Sequence, residues 1–189
     1  MAGIVTTRQR LLNQIASEIE ALRDRPIVLV AIDGVDGAGK TMFADELADV
    51  LAKGAEGNII RASVDSFHHP RAVRYTRGKD SPQGFFADSF NYPVLKKLLL
   101  DPLSMRPPRR YCSAYFDHRT DSEVAQVWQE PPRRGVLLFD GIFSHRPELV
   151  DYWDYSVFLD VSPAVSVQRN IDRAGVTDVS YDPADPVHR

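Results

Sequence analysis

Residues Gly34-Val35-Asp36-Gly37-Ala38-Gly39-Lys40-Thr41 read G-x-x-x-x-G-K-[ST], the pattern of a loop that wraps a phosphate in backbone N–H groups. Within such a loop Lys40 lies against the β- and γ-phosphates of a nucleotide, and the Thr41 hydroxyl faces Mg²⁺. The chemistry on offer is nucleotide binding and stabilisation of charge on a phosphoryl group in transit. A hydrated Mg²⁺ also takes one or two carboxylates, and two aspartates stand in suitable contexts. Asp140 closes an apolar run and precedes Gly141, as in a Walker B element; a turn-forming aspartate is the alternative. Asp65 follows another apolar run and opens Asp65-Ser66-Phe67-His68-His69-Pro70. A carboxylate there can orient or deprotonate an acceptor hydroxyl. His68 and His69 have no further His or Cys nearby at ligand spacing and read as loop residues.

These groups need elements to hold them. The run 27–32 reads as a buried strand ahead of the loop, and 40–51, with Phe43, Leu47, Val50 and Leu51 at helical spacing, as the helix behind it. Its N-terminus aims partial positive charge at the bound anion. Further strands are expected at 58–64, 135–140 and 155–161, with an amphipathic helix at 7–23. Alternating strands and helices predict an α/β, three-layer P-loop NTPase fold: a mainly parallel sheet with helices on both faces. Between the second and third strands lies a long stretch, 68–132, rich in proline, arginine and aromatic residues. It holds one clear helix at 93–100 and an aromatic segment at 111–116. Long irregular segments in compact domains are usually functional, and this one begins at the carboxyl end of a strand, where ligands of doubly wound sheets bind.

A chain of 189 residues that is 43% hydrophobic and 26% charged is expected to form one domain. The net charge of −3 gives no electrostatic case for nucleic acid or an anionic membrane, so the expected partner is a small molecule. Cys112 is the single cysteine, which excludes an intramolecular disulfide and suits a reducing compartment. No segment has the length of a membrane span, and the first twenty residues lack the apolar core of a signal peptide; a cytoplasmic location is expected.

Taken together, Gly34 to Thr41, Asp65-Ser66-Phe67, Asp88-Ser89-Phe90, Phe139-Asp140-Gly141-Ile142 and Arg169 with Arg173 resemble, in order and spacing, the uridine kinase-like branch of the P-loop kinases. That branch is also similar to phosphoribulokinases and pantothenate kinases. The resemblance implies ATP and Mg²⁺ as cofactors, Asp65 as the catalytic carboxylate with a share of the metal, and Asp140 near Mg²⁺ beside Thr41. It implies that Arg169 and Arg173, four apart on one helix face, are lid arginines that close over the phosphoryl group. Residues 66–132 become the acceptor-binding insertion and about 163–180 the lid. Where uridine kinases carry Phe-Asp-His-Pro this chain reads Gly84-Phe85-Phe86-Ala87, and the last residue of the Asp-x-Phe-Asp element is Asn91. Phe116-Asp117-His118-Arg119 resembles the base-binding segment loosely. Relatives complete the sheet with a fifth strand after the lid, and none is visible in 174–189; either the chain stops early or it lacks that strand.

The expected activity is phosphorylation of a hydroxyl on a small metabolite, with a nucleoside preferred. Asp65, Asp88 and Asp117 belong to segments expected to border the acceptor, with Asp88 on its sugar hydroxyls and Phe67, His118 and Arg119 in contact. Phe67, Phe85, Phe86, Phe90 and Phe116 could supply a face for an aromatic base. Arg71, Arg74, Arg77 and Lys79 favour the rival acceptors, pantothenate or a sugar phosphate. A non-catalytic nucleotide-binding regulator is the alternative of another class; a GTPase would carry Asn-Lys-x-Asp, and the chain has no Asn-Lys pair.

Overall fold

The computed structural model of the protein describes residues 6–22, 24–54 and 58–174. Helix α1 (Thr7–Ala21) is capped by Thr6, whose hydroxyl accepts from the Gln9 N–H. Strand β1 (Ile27–Gly34) is buried at every position, as expected of the central strand of a parallel sheet. It runs into the phosphate loop and then helix α2 (Lys40–Leu51). Strand β2 (Ile59–Ser63) follows, and its end tightens into a 3₁₀ turn, Val64–Phe67. The intervening stretch holds short helices α3 (Arg71–Arg74), α4 (Pro82–Asp88), α5 (Tyr92–Leu95) and α6 (Asp101–Ser104), with a π-helical turn, Lys96–Leu100, joining the last two. A two-stranded hairpin, β3 (Phe116–Asp117) with β4 (Ser122–Glu123), comes next. Strands β5 (Gly135–Asp140) and β6 (Tyr155–Leu159) and helix α7 (Pro163–Ala174) complete the described chain.

The main sheet is wholly parallel, in the order β2-β5-β1-β6. Alternation along its strands divides the core in two. Val28, Val30, Ile32, Val136 and Leu138 face α1 and α2, whereas Ile27, Leu29, Leu137 and Phe139 face the 92–103 helical run and Phe67, Phe90 and Cys112. Each such side chain, once fully buried, contributes about 1.5–3 kcal/mol of transfer free energy. The expected three-layer α/β arrangement is therefore the one observed. Because the strands are parallel, the tips of all four lie on one edge: Ser63 and Ile32 pair with Asp140, and Asp33 pairs with Phe158.

The sequence expectations differ from this at several ends. The first strand runs two residues further, to Gly34, the second and fourth are shorter than expected, and Asp65 sits in the 3₁₀ turn rather than on the strand. The helix expected at 93–100 begins at Tyr92, capped by the Asn91 side chain, and continues to Ser104 through the π-helical turn. Residues 175–189, which include the region of the missing strand and the end of the expected lid, lie outside the described residues.

Candidate phosphate site and neighbouring cavities

Helix α2 begins at Lys40, so its first-turn N–H groups, free of intrahelical partners, face the loop. Lys40 Nζ folds back onto the loop and donates to the carbonyls of Gly34 (3.0 Å) and Val35 (2.9 Å). Helix α7 packs directly on the loop: Ser166 Oγ donates to the Asp36 carbonyl at 2.5 Å, and Arg169 Nη1 to the carbonyls of Gly37 (3.1 Å) and Ala38 (3.2 Å). Gly37 makes this approach feasible. It has φ 72°, and a Cβ there would stand 2.6 Å from the Ser166 carbonyl oxygen. Arg173 lies on the same helix, but its side chain is outside the described residues.

Asp140, 3% exposed at the tip of β5, is held on both oxygens. Thr41 Oγ1 donates to Oδ2 at 2.9 Å and Arg61 Nη2 to Oδ1 at 3.0 Å. Sequence reasoning missed Arg61, although a lone cation within the apolar strand Ile59-Ile60-Arg61-Ala62 was a usable signal. Next to Asp140, Gly141 packs so tightly on Val64 that a Cβ would stand 2.5 Å from Cγ1. This contact carries the 3₁₀ turn, and with it Asp65, to the mouth of the phosphate loop. A small cavity of about 110 Å³ results, walled by Lys40, Thr41, Ser63, Asp65 and Asp140 among others. Within this space the carboxylates of Asp65 and Asp140 and the Thr41 hydroxyl form a hard-oxygen set that fits a magnesium ion retaining several waters. Among the described residues no cluster of three or more His, Cys, Asp or Glu forms an all-protein metal cage.

Two larger cavities flank the loop. One, of about 740 Å³, lies on the α7 side between Gly37–Gly39, Met42, Val161 and Arg169. The other, of about 650 Å³, lies between Asp33–Asp36, Phe85, Phe86 and the segment 142–147 after β5. It shares Asp36 and Ile142 with the small polar cavity.

The remaining expected site residues are dispersed. Phe67, Phe90 and Phe116 are core residues with at most 4% exposure and present no face to a ligand, because the strand-end turn and the hairpin fold them inward. Phe85 and Phe86 do line the 650 Å³ cavity. Asp88 pairs with Arg77 at 2.8 Å. Asp117 accepts from the Arg119 N–H at 2.9 Å, closing the β3–β4 turn; that hydrogen bond holds its carboxyl below the usual aspartate range. His118 lies tilted against His68, ring centroids 4.9 Å apart, and burial pushes the His68 imidazole down. The arginines after Asp65 are engaged within the protein: Arg71 donates to the Arg119 carbonyl at 3.3 Å, Arg74 lies 3.6 Å from Asp121, and Arg77 holds Asp88. Cys112 is fully buried.

A parallel sheet whose central strand feeds a phosphate loop, with a helix packed over that loop, defines the P-loop kinase fold. Solved structures with this fold include one described as a possible uridine kinase from Bacillus stearothermophilus (TM-score 0.72, 21% identity, 88% of this chain and 86% of that one). Another is described as a candidate fructose transport system kinase from Silicibacter sp. TM1040 (TM-score 0.68, 24% identity, 86% and 81%). In sequence the chain is similar to the uridine kinase of Ligilactobacillus salivarius, 26% identical over 159 residues that span 81% of this chain and 69% of that protein. No protein-family model matches. The likeness to uridine kinase-like P-loop kinases thus extends from the motifs to the greater part of the chain. Among the described residues no helix is long and apolar enough to cross a membrane.

Proposed function

We propose that this protein is an ATP-dependent kinase that phosphorylates a hydroxyl of a small metabolite, a nucleoside by preference. The observation that carries the reading is the meeting of Asp65 with Lys40, Thr41 and Asp140 around one small polar cavity, beside a cavity large enough for an acceptor. The kinase names of its relatives support the same class.

Bound ATP with Mg²⁺ would supply the transferable phosphoryl group and neutralise part of its charge. Thr41 and Asp140, with Asp65, are the residues that would hold the metal. Lys40 swings from the Gly34 and Val35 carbonyls toward the phosphates, where fixed positive charge is worth most. Arg169, already on the loop, adds charge from the α7 side, and Arg173 belongs to the same lid. Asp65 orients the acceptor hydroxyl and takes its proton. Residues 66–132 form the acceptor side, and α7 belongs to the lid. The engagement of Arg71, Arg74 and Arg77 within the protein weakens the case for an anionic acceptor. A cytoplasmic location belongs to this reading and rests on the single cysteine.

The test is ATP consumption by the purified protein with uridine, cytidine, adenosine, pantothenate and sugar phosphates. Turnover dependent on a nucleoside is expected. Efficient phosphorylation of pantothenate or a sugar phosphate with every nucleoside ignored would reassign the acceptor, and ATP binding without turnover on any compound would make the chain a nucleotide-binding regulator.

A further inference from the structure

The 650 Å³ cavity contains a polar pair that none of the kinase roles above uses. Asp33, 4% exposed, accepts from the Gly34 N–H (2.7 Å), the His145 N–H (3.0 Å) and His145 Nδ1 (2.8 Å). A carboxylate taking three donors fixes the imidazole in place and keeps the proton on Nδ1. Nε2, on the opposite edge of the ring, is then the polar atom that His145 can present to the cavity. Among the described residues it has no hydrogen-bond partner.

Around this pair the wall is aromatic. Phe143, held at φ 65° in a conformation rare for a bulky residue, meets Phe85 and Phe86 edge-on with centroids 5.5 and 5.0 Å away. Arg146, which also lines the cavity, holds its guanidinium 4.1 Å from the Phe86 centroid. Arg146 is itself tied to Glu148 at 2.7 Å, so its charge is matched within the protein. With that charge matched and the carboxylates of Asp33 and Asp36 also on the wall, the cavity disfavours a sugar phosphate or carboxylate, and its three phenylalanines favour a flat ring. The volume lies within the range of ligand pockets, about 300–1,000 Å³.

The geometry points to His145, positioned by Asp33, as the specificity-determining residue of an acceptor-binding cavity that takes a heteroaromatic ring. The ring stacks against Phe85, Phe86 and Phe143, His145 Nε2 hydrogen-bonds its polar edge, and the hydroxyl-bearing end reaches the phosphate cavity across the shared wall at Asp36 and Ile142. This deepens the kinase reading and rests on it for the word acceptor. The ring site itself can be tested without turnover.

Direct binding is measured by saturation-transfer NMR and calorimetry on the full chain, with uridine, adenosine and pyridoxine as heteroaromatic alcohols and ribose and glycerol as ring-less ones. At least one heteroaromatic alcohol is expected to bind, with saturation strongest on ring protons. His145→Ala should weaken it about two- to tenfold, the scale of one lost hydrogen bond, while His145→Gln restores part of the loss and ATP affinity stays within about twofold. Phe143→Ala, checked for folding by its melting temperature, should weaken ring binding more than ribose binding. Binding unchanged in His145→Ala overturns the assignment, as does failure of all three heteroaromatic alcohols to bind the wild type. Binding that depends on His145 but is followed by no phosphorylation leaves the ring site standing and overturns the kinase reading instead.

Discussion

Thr41 Oγ1 lies 2.9 Å from Asp140 Oδ2, joining the first turn of the phosphate-loop helix to the tip of the neighbouring strand across 99 residues of chain. The same carboxylate is steadied by Arg61, which also donates to the Leu138 carbonyl and to Asp45. The candidate metal side of the site is thus built from three adjacent elements of the core, so its geometry is set by the sheet and not by a free loop.

Lys40→Ala should lower phosphoryl transfer by about 10² or more, the scale for removing one charge-stabilising donor. The melting temperature should hardly move, since Lys40 bonds two loop carbonyls and no core side chain. Steady-state kinetics with a thermal melt on the same preparation checks both; wild-type turnover would remove Lys40 from the phosphate site.

Asp65→Asn should leave ATP affinity nearly intact and reduce kcat by about 10²–10⁴, the range for a positioned general base. Asp65 lies in a solvent-facing turn, so the fold should survive. A change in ATP affinity with kcat unaffected would assign Asp65 to binding alone.

Arg169→Ala should reduce kcat more than it weakens ATP binding, because a lid residue contributes most once the site has closed. Loss of its ties to the Gly37 and Ala38 carbonyls should also loosen the loop in the variant. Calorimetric ATP titration alongside kcat separates the two effects, and an unchanged kcat would return Arg169 to a packing role.

Gly141→Ala should destabilise the protein by about 1–3 kcal/mol, as overpacking does, since the new methyl meets Val64 at 2.5 Å. Because Val64 begins the turn that carries Asp65, kcat should fall as well. Adding Val64→Ala relieves the overlap and should recover part of both. A stable, fully active single variant would mean that the turn is not positioned through this contact.

His68 and His69 give a pH dependence of stability. Burial pushes both imidazoles below their ordinary value, so near pH 6.5 the unfolded chain binds more protons than the folded one. Their stabilisation is present above pH 6.5 and is lost as pH falls through the folded values. The melting temperature should drop between pH 7 and pH 5.5, and a His68→Asn, His69→Asn double variant should show a shallower slope. Equal slopes would place the sensitivity elsewhere.

Local patterns carried much of this architecture. The apolar run before Gly34, the glycines of the loop and the 3.6-residue periodicity of 40–51 are short-range signals, and each element appeared where those signals put it. The strand-end position of Asp140 was legible for the same reason, an acidic residue terminating an apolar run where a buried strand meets solvent, whereas Asp65, expected at a strand end, sits two residues past it in the 3₁₀ turn. Long-range packing decided the rest. Phe67, Phe90 and Phe116 look like Phe85 and Phe86 in sequence, yet the first three fold into the core while the other two wall a cavity. The 3₁₀ turn and the hairpin make that choice. Asp33 and His145, 112 residues apart, have no common local pattern. Only the register that pairs β1 with β5, and the chain reversal after Asp140, bring a carboxylate buried at one strand tip against an imidazole on the next loop.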